Sequence, residues 1–254
     1  MIHFPDIVVR PGGMSFGTGY STTVPQSDRN RHFFAPEQLE LKASMNAKCV
    51  KLGQPLQVNW QIVNNSKVNI PLPNDVSIEA QHTYITIYDP NGHSKLMKSF
   101  VIKTDTVRMQ ELKPGDKVES STMLFWSSNG FAFETPGRHV IEFKTIWNYG
   151  GVQYGVKTTS EVWCDYPVSD KDNEVASLLL HEDVGKFVAL GGGASHLEEA
   201  VSRIEKVKSD HSDHPACASI TDLESKNSGH KKTGKDDDKK KRSKTKQAKT
   251  SSRK

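Results

Sequence analysis

Residues 135–147, TPGRHVIEFKTIW, constrain the fold more tightly than any other stretch of the chain. A Pro136-Gly137 turn is followed at once by alternation. Ile141, Phe143, Thr145 and Trp147 fall on one side, and Glu142 and Lys144 on the other. A period of two puts successive side chains on opposite faces of a pleated strand, so one face belongs in a core and the other in water.

The rest of the middle of the chain supplies strands to meet that face. Leu39, Leu41 and Ala43 alternate with Glu40, Lys42 and Ser44. After a turn at 52–55, Leu56, Val58, Trp60 and Ile62 alternate with Gln57, Asn59 and Gln61, and Asn64-Asn65-Ser66 closes that strand with turn chemistry. The phase predicts that Val58, Trp60 and Ile62 pack against Ile141, Phe143 and Trp147. Pro71 and Pro73 cannot donate to a ladder, so 69–75 reads as a connection or a sheet edge. Further strands are expected at 83–88, 98–103, 118–126 and 152–163, with turns at 89–92, 112–116 and 148–151. About seven strands with regular turns, and no helical pattern between them, predict an antiparallel β-sandwich over 38–167 rather than a parallel α/β sheet.

The period changes after Tyr166-Pro167. Val175, Leu178, Leu179, Val184, Phe187 and Val188 recur at helical spacing and predict one helix over 173–190, stopped by Gly191-Gly192-Gly193. Ser195 and Glu198 have the spacing of a capping box, followed by Leu197, Ala200, Val201, Ile204 and Val207 to about 209. The expectation is a helical hairpin over 170–223, with a short third helix at 215–223. Each helix has one apolar face, so the pair must dock on something.

The ends read differently. Residues 1–37 are rich in Gly, Pro, Ser and Thr and are expected to form a flexible extension, with a short edge strand at 7–9. The run GGMSFGTG at 12–19 lacks the following helix that a phosphate loop needs. From 224 onward the only apolar residue past Ser225 is Ala248, and such a segment cannot offset its ordering entropy by burial. Residues 224–254 are therefore expected to be a disordered basic tail. The net charge of +4 conceals this split. Residues 229–254 hold 12 of the 34 basic residues and 3 of the 30 acidic ones, leaving 22 against 27, so the body is mildly acidic. The run Lys239, Lys240, Lys241, Arg242 and Lys244 could contact polyanions weakly through counterion release, but carries no aromatic to stack on bases.

Three cysteines, Cys49, Cys164 and Cys217, are too few for a disulfide framework. Cys49 and Cys164 lie near strand ends and either pair or stay as two thiols. No stretch approaches the ~18 apolar residues of a membrane span. No signal-peptide pattern opens the sequence, so the chain is expected to be cytoplasmic as written, and extracytoplasmic if a leader precedes Met1.

Chemistry-bearing motifs are sparse. His211, His214 and Cys217 could supply three metal ligands where structural zinc wants four, so no metal and no cofactor is expected. No nucleophile elbow, zincin motif or redox cysteine pair occurs, and the expectation is a protein without enzymatic activity. The most suggestive loop is 126–133, where Trp126, Phe131 and Phe133 sit among turn residues between two strands. Loops at sheet ends commonly carry binding function, and these three residues are the candidate protein-binding surface.

The order Leu-Gly-Gln-Pro-Leu-x-Val (52–58), Asn-Asn-Ser (64–66), Ile-Tyr-Asp-Pro-Asn-Gly (87–92), Leu-Lys-Pro-Gly (112–115) and Thr-Pro-Gly-Arg-His-Val-Ile (135–141) resembles bacterial immunoglobulin-like or fibronectin-like accessory modules. The resemblance covers about half the chain and implies an immunoglobulin-like sandwich that binds or spaces other domains. It carries over no catalytic residues. A protease inhibitor acting through an exposed loop, or an enzyme with a dispersed site, are the competing readings.

Overall fold

The computed structural model describes residues 31–103 and 108–221. The expectations for 1–30 and for the tail, including Lys239, Lys240, Lys241, Arg242 and Lys244, lie outside the described residues.

The 135–147 stretch becomes β12 (Gly137–Tyr149), whose inward positions from Gly137 to Trp147 are buried without a break in phase. It lies inside the main sheet. On one side it pairs antiparallel with β13 (Val152–Asp165), from Gly137↔Cys164 to Tyr149↔Val152. On the other it pairs with β6 (Thr83–Tyr88), which pairs with β7 (Ser94–Met97). Two short strands, β1 (Arg31–Phe33) and β3 (Cys49–Lys51), share the outer edge of β13 and run parallel to it. Gly137 opens β12 at φ +125°, and a Cβ there would run into the ring of Pro90 on the facing turn, so the turn position requires glycine.

A second sheet holds β2 (Leu39–Met45), β4 (Leu56–Asn64) and β9 (Lys117–Leu124), all antiparallel. The two sheets face each other across one hydrophobic core. Val58, Trp60 and Ile62 from β4 and Ile141, Phe143 and Trp147 from β12 are all essentially inaccessible, as their phase predicts. The Trp60 and Phe143 rings lie 6.0 Å apart across the core. Thr145, on the same face, is buried because its hydroxyl meets that of Thr83 at 2.8 Å. Ile70–Pro73 (β5) forms an edge ladder with Met109–Leu112 (β8), which accommodates Pro71 and Pro73. A two-residue pair, β10 (Trp126–Ser127) with β11 (Gly130–Phe131), lies at one end.

Several expectations are corrected. The strand expected at 98–103 lies earlier, at Ser94–Met97. The Asp89 carboxylate accepts from the backbone N–H groups of Asn91 and His93, which tightens the turn and starts the return strand at once. Residues 31–37 are not part of a featureless extension, since β1 joins the main sheet. The predicted hairpin is instead a set of four helices. The segment 173–190 divides into α1 (Asp170–Leu179) and α2 (Glu182–Ala189). His181 leaves helical geometry, and its side chain accepts from the Asp183 N–H to cap α2. The capping box fails because α3 (Glu198–Asp210) begins after Leu197, which makes no side-chain cap bond. A fourth helix, α4, covers 215–221 of the described residues, with Pro215 at its first position.

These helices bury their apolar faces in a second core. Val175, Leu179, Val184, Phe187, Ile204, Val207, Ala216 and Ile220 pack there with Phe125, and Trp126 and Phe131 flank it. The helical unit therefore docks on the β10–β11 end of the sheets.

Candidate functional site

The 126–133 segment is held rigidly. Asn129 donates to the Leu96 carbonyl at 2.8 Å, and Lys95 donates to the Phe131 carbonyl at 2.6 Å and to Glu134 at 2.7 Å. The Glu134 carboxylate also accepts from the Phe131 N–H at 3.0 Å. These bonds fix each aromatic, and they send the three in different directions. Phe133 is 3% exposed, lies in the main core, and meets the His139 ring edge-on at 5.2 Å. Phe131 turns under the helices and meets Phe125 edge-on at 5.3 Å. Trp126 is half-buried. One side of it lies against Gly185 of α2, and its ring is 5.8 Å from Phe100. Trp126, Phe131 and Phe133 thus do not form one exposed patch, and of the three only Trp126 reaches a surface next to other exposed apolar groups.

That neighbouring surface is one the sequence pattern concealed. Phe100, Val101 and Ile102 are 50%, 51% and 55% exposed, three consecutive apolar side chains facing solvent. An aromatic followed by two β-branched residues reads as a strand, but the segment is a loop. Its base is pinned. The Lys103 N–H donates to the Glu79 carbonyl at 3.0 Å, and Lys103 Nζ meets Asp75 at 2.6 Å. Partial burial pushes the Asp75 carboxyl up, but Lys103 and the Ser77 hydroxyl and N–H outweigh it and hold the group down at about 2. The anchor thus stays ionic across the physiological range. Met109, 39% exposed, lies on the same end, since Arg108 and Asn74 bond each other beside it.

The histidine-rich segment is not solvated. His211 and His214 are buried at the α3–α4 junction. His214 Nε2 faces Asp172 of α1 at 3.3 Å, and its Nδ1 accepts from the Ala216 N–H at 3.2 Å. His211 Nε2 lies 3.2 Å from Glu174, which also pairs with Lys206. Among the described residues no three His, Cys, Asp or Glu side chains converge as a metal would require. Cys49, Cys164 and Cys217 are free thiols. Cys49 pairs with Trp163 and Val50 with Cys164, so the pleat puts Cys49 outside and Cys164 in the core. Burial first, then Asp165, pushes the Cys164 thiol up to about 12. Asn64, which closes β4, is fully buried with its amide occupied.

A shallow hollow of about 720 Å³ overlies the outer face of the three-stranded sheet. Lys42, Ser44, Asn59, Gln61, Glu119 and Ser121 line it with Trp60, whose ring is buried in the core and offers no stacking platform there. No helix among the described residues is long and apolar enough to cross a membrane.

No protein-family model and no curated protein matches the chain. Among solved structures, similarity is found to the β-glucosidase from Listeria innocua in complex with isofagomine, at 17% identity and TM-score 0.30, over 51% of this chain and 16% of that one. The alkylpurine DNA glycosylase AlkC of Pseudomonas fluorescens, bound to DNA with an abasic site analogue, is 14% identical at TM-score 0.30, over 50% of this chain and 31% of that one. The sporulation control protein Spo0M of Bacillus subtilis is 9% identical at TM-score 0.31, over 56% of this chain and 54% of that one. This chain thus spans between a sixth and about half of the length of these neighbours, and likeness at such scores says nothing about its activity.

Proposed function

We propose that this chain is a non-enzymatic binding or scaffold module. In this reading it is an immunoglobulin-like β-sandwich with a helical appendage, and it engages a protein partner through the 100–102 loop beside Trp126. The exposure of Phe100, Val101 and Ile102 on a pinned loop carries the proposal. Scattered exposed apolar residues are ordinary on soluble proteins, whereas contiguous ones mark contact surfaces. Trp126 contributes its free edge, while Phe131 and Phe133 support the surface from within. The basic tail, with Lys239, Lys240, Lys241, Arg242 and Lys244, adds weak contact with polyanions. Three unpaired thiols, with Cys49 on β3 and Cys164 on β13 facing opposite sides of their sheet, fit a reducing compartment such as the cytoplasm.

The test is affinity capture with the full chain, with F100S/V101S/I102S, and with residues 224–254 deleted. Partners should be lost with the loop variant and kept on tail deletion. An unchanged partner set with the loop variant overturns the proposal. The pinned base and exposed tip of the same loop also suit a protease inhibitor, and a protease panel separates the two readings through inhibition that the loop variant abolishes.

A further inference from the structure

We infer that His214 is a pH-dependent latch, joining the start of α4 to the first turn of α1 only while its ring is neutral. The inference rests on two contacts that demand opposite things of one imidazole. Nδ1 must carry a lone pair, because it accepts from the Ala216 N–H at 3.2 Å. Nε2 must carry the proton, because it faces the Asp172 carboxylate at 3.3 Å. Only the neutral Nε2–H tautomer satisfies both. A second proton would go on Nδ1 and point at the Ala216 N–H, donor against donor. The cap would be lost, and the orphan N–H it serves would be left inside.

The surroundings reinforce this. The ring is 4% exposed, so water cannot replace the lost partner. It lies between the first turns of α1 and α4, and both helix starts present partial positive charge to it. The charged groups facing it are Asp172 and Lys171 on α1 and Lys51 on β3. Asp213, the preceding residue, is paired with Lys171. Asp172 is itself committed to the start of α1, accepting from the Val168 N–H while its own N–H donates to Ser169. Burial pushes the His214 ring below the ordinary imidazole range, and Asp172 only partly opposes it. A histidine whose folded value lies below its unfolded one contributes fully above about pH 6.5 and loses that contribution as pH falls toward the folded value. On mild acidification the tie between α1 and α4 weakens, and with it the hold of the helical unit on Phe125, Phe131 and Trp126.

Hydrogen exchange of the full chain at pH 7.5 and pH 5.5, corrected for intrinsic rates, tests the latch. Peptides from 170–179 and 212–221 should lose about fivefold in protection relative to peptides of β4 and β9, which hold no histidine, within the ~tenfold ceiling that one proton sets over one pH unit below 6.5. His214→Asn keeps an acceptor for the Ala216 N–H in place of Nδ1, gives up the bond to Asp172 because its amide is too short to reach where Nε2 stood, and does not titrate, so its protection should change by less than twofold between the two pH values. If H214N fails to fold, Asp172→Asn serves instead. Without the carboxylate the ring is harder to charge, and the loss should move to lower pH. Unchanged wild-type protection, an equal loss in H214N, or a loss at unmoved pH in D172N would each overturn the latch.

Discussion

Gly185→Ala is the sharpest test of how the helical unit is seated. Gly185 lies within α2 and is buried. Its φ is not in the left-handed region, so the backbone itself accepts a side chain. Replacing an interior helical glycine by alanine ordinarily stabilises by about 1 kcal/mol. Here a Cβ would fall at or inside 3.0 Å of Trp126 Cδ1, Cγ and Cβ. Those atoms are at the root of the indole rather than its far end, so rotation about the side-chain bonds cannot clear them. The helix or β10 must move, and approaches of 2.4 Å put the cost in the upper part of the overpacking range, ~2–3 kcal/mol. The balance is a net loss of about 1–2 kcal/mol in the wild-type background. Trp126→Ala alone should cost about 2 kcal/mol, below the range for a fully buried ring because the indole is half-exposed. In the W126A background the two ring contacts at 2.4 Å are gone and only the Cβ contact at 3.0 Å stays, so G185A should stabilise by up to about 1 kcal/mol. The sign therefore reverses, with a coupling of roughly 2–3 kcal/mol. Urea unfolding followed by circular dichroism at 222 nm reads the helices directly. Equal effects of G185A in both backgrounds would refute the packing of α2 on Trp126.

Other outcomes follow from single sites. Asn64 donates to the carbonyls of Val68 and Leu112 and accepts from the Ser66 N–H and hydroxyl, so Asn64→Ala should cost about 2–3 kcal/mol in urea unfolding. A thiol reagent should titrate one cysteine in the native protein and three in denaturant, because Cys164 and Cys217 are buried. Native labelling at Cys49 should be slow at pH 7 and accelerate as pH rises past 9, since burial and the hydrogen bond to Asp165 both raise its thiol. His139 is buried with its ring near the Gly137 carbonyl, and burial lowers its folded value below the ordinary range. Its contribution is thus present above pH 6.5 and lost below it, and His139→Gln should flatten the pH dependence of the urea midpoint between pH 7 and pH 5.

What was legible in the sequence is what period-two alternation can encode. The strict phase of 137–147 and 56–62 identified both faces of the main core, because a strand with one buried side leaves no freedom of register. Short edge strands left no such trace. Cys49–Lys51 is three residues long and joins β13 only through non-local pairing, and β1 lay in a segment whose composition read as coil. The helical break at Leu180-His181 was invisible because apolar spacing continues across it, and a histidine side chain acting as a cap is an unusual choice. The candidate site was half legible. Aromatic residues in a turn-rich loop did mark an important place, but sequence cannot tell a loop that offers its aromatics to a partner from one that spends them on its own chain.

Leu124 and Phe125 show how that choice is made. They are consecutive, Leu124 closing β9 and Phe125 at the bend before β10, and they enter different cores. Leu124 enters the core between the sheets, and Phe125 enters the core beneath the helices. A bend that carries Phe125, followed by Trp126 and Phe131, has apolar area that water would otherwise meet. The helices carry the complementary deficit, because packing on one another still leaves apolar area that Phe125, Trp126 and Phe131 cover. Each deficit is relieved by the other, and this explains why the chain tolerates Gly185 in a helix interior, since only glycine lets α2 come close enough to cover the indole. The side chains of 100–102 stay about half exposed although Phe100 meets Trp126, and that asymmetry shifts the expected binding surface from the 126–133 loop to its neighbour.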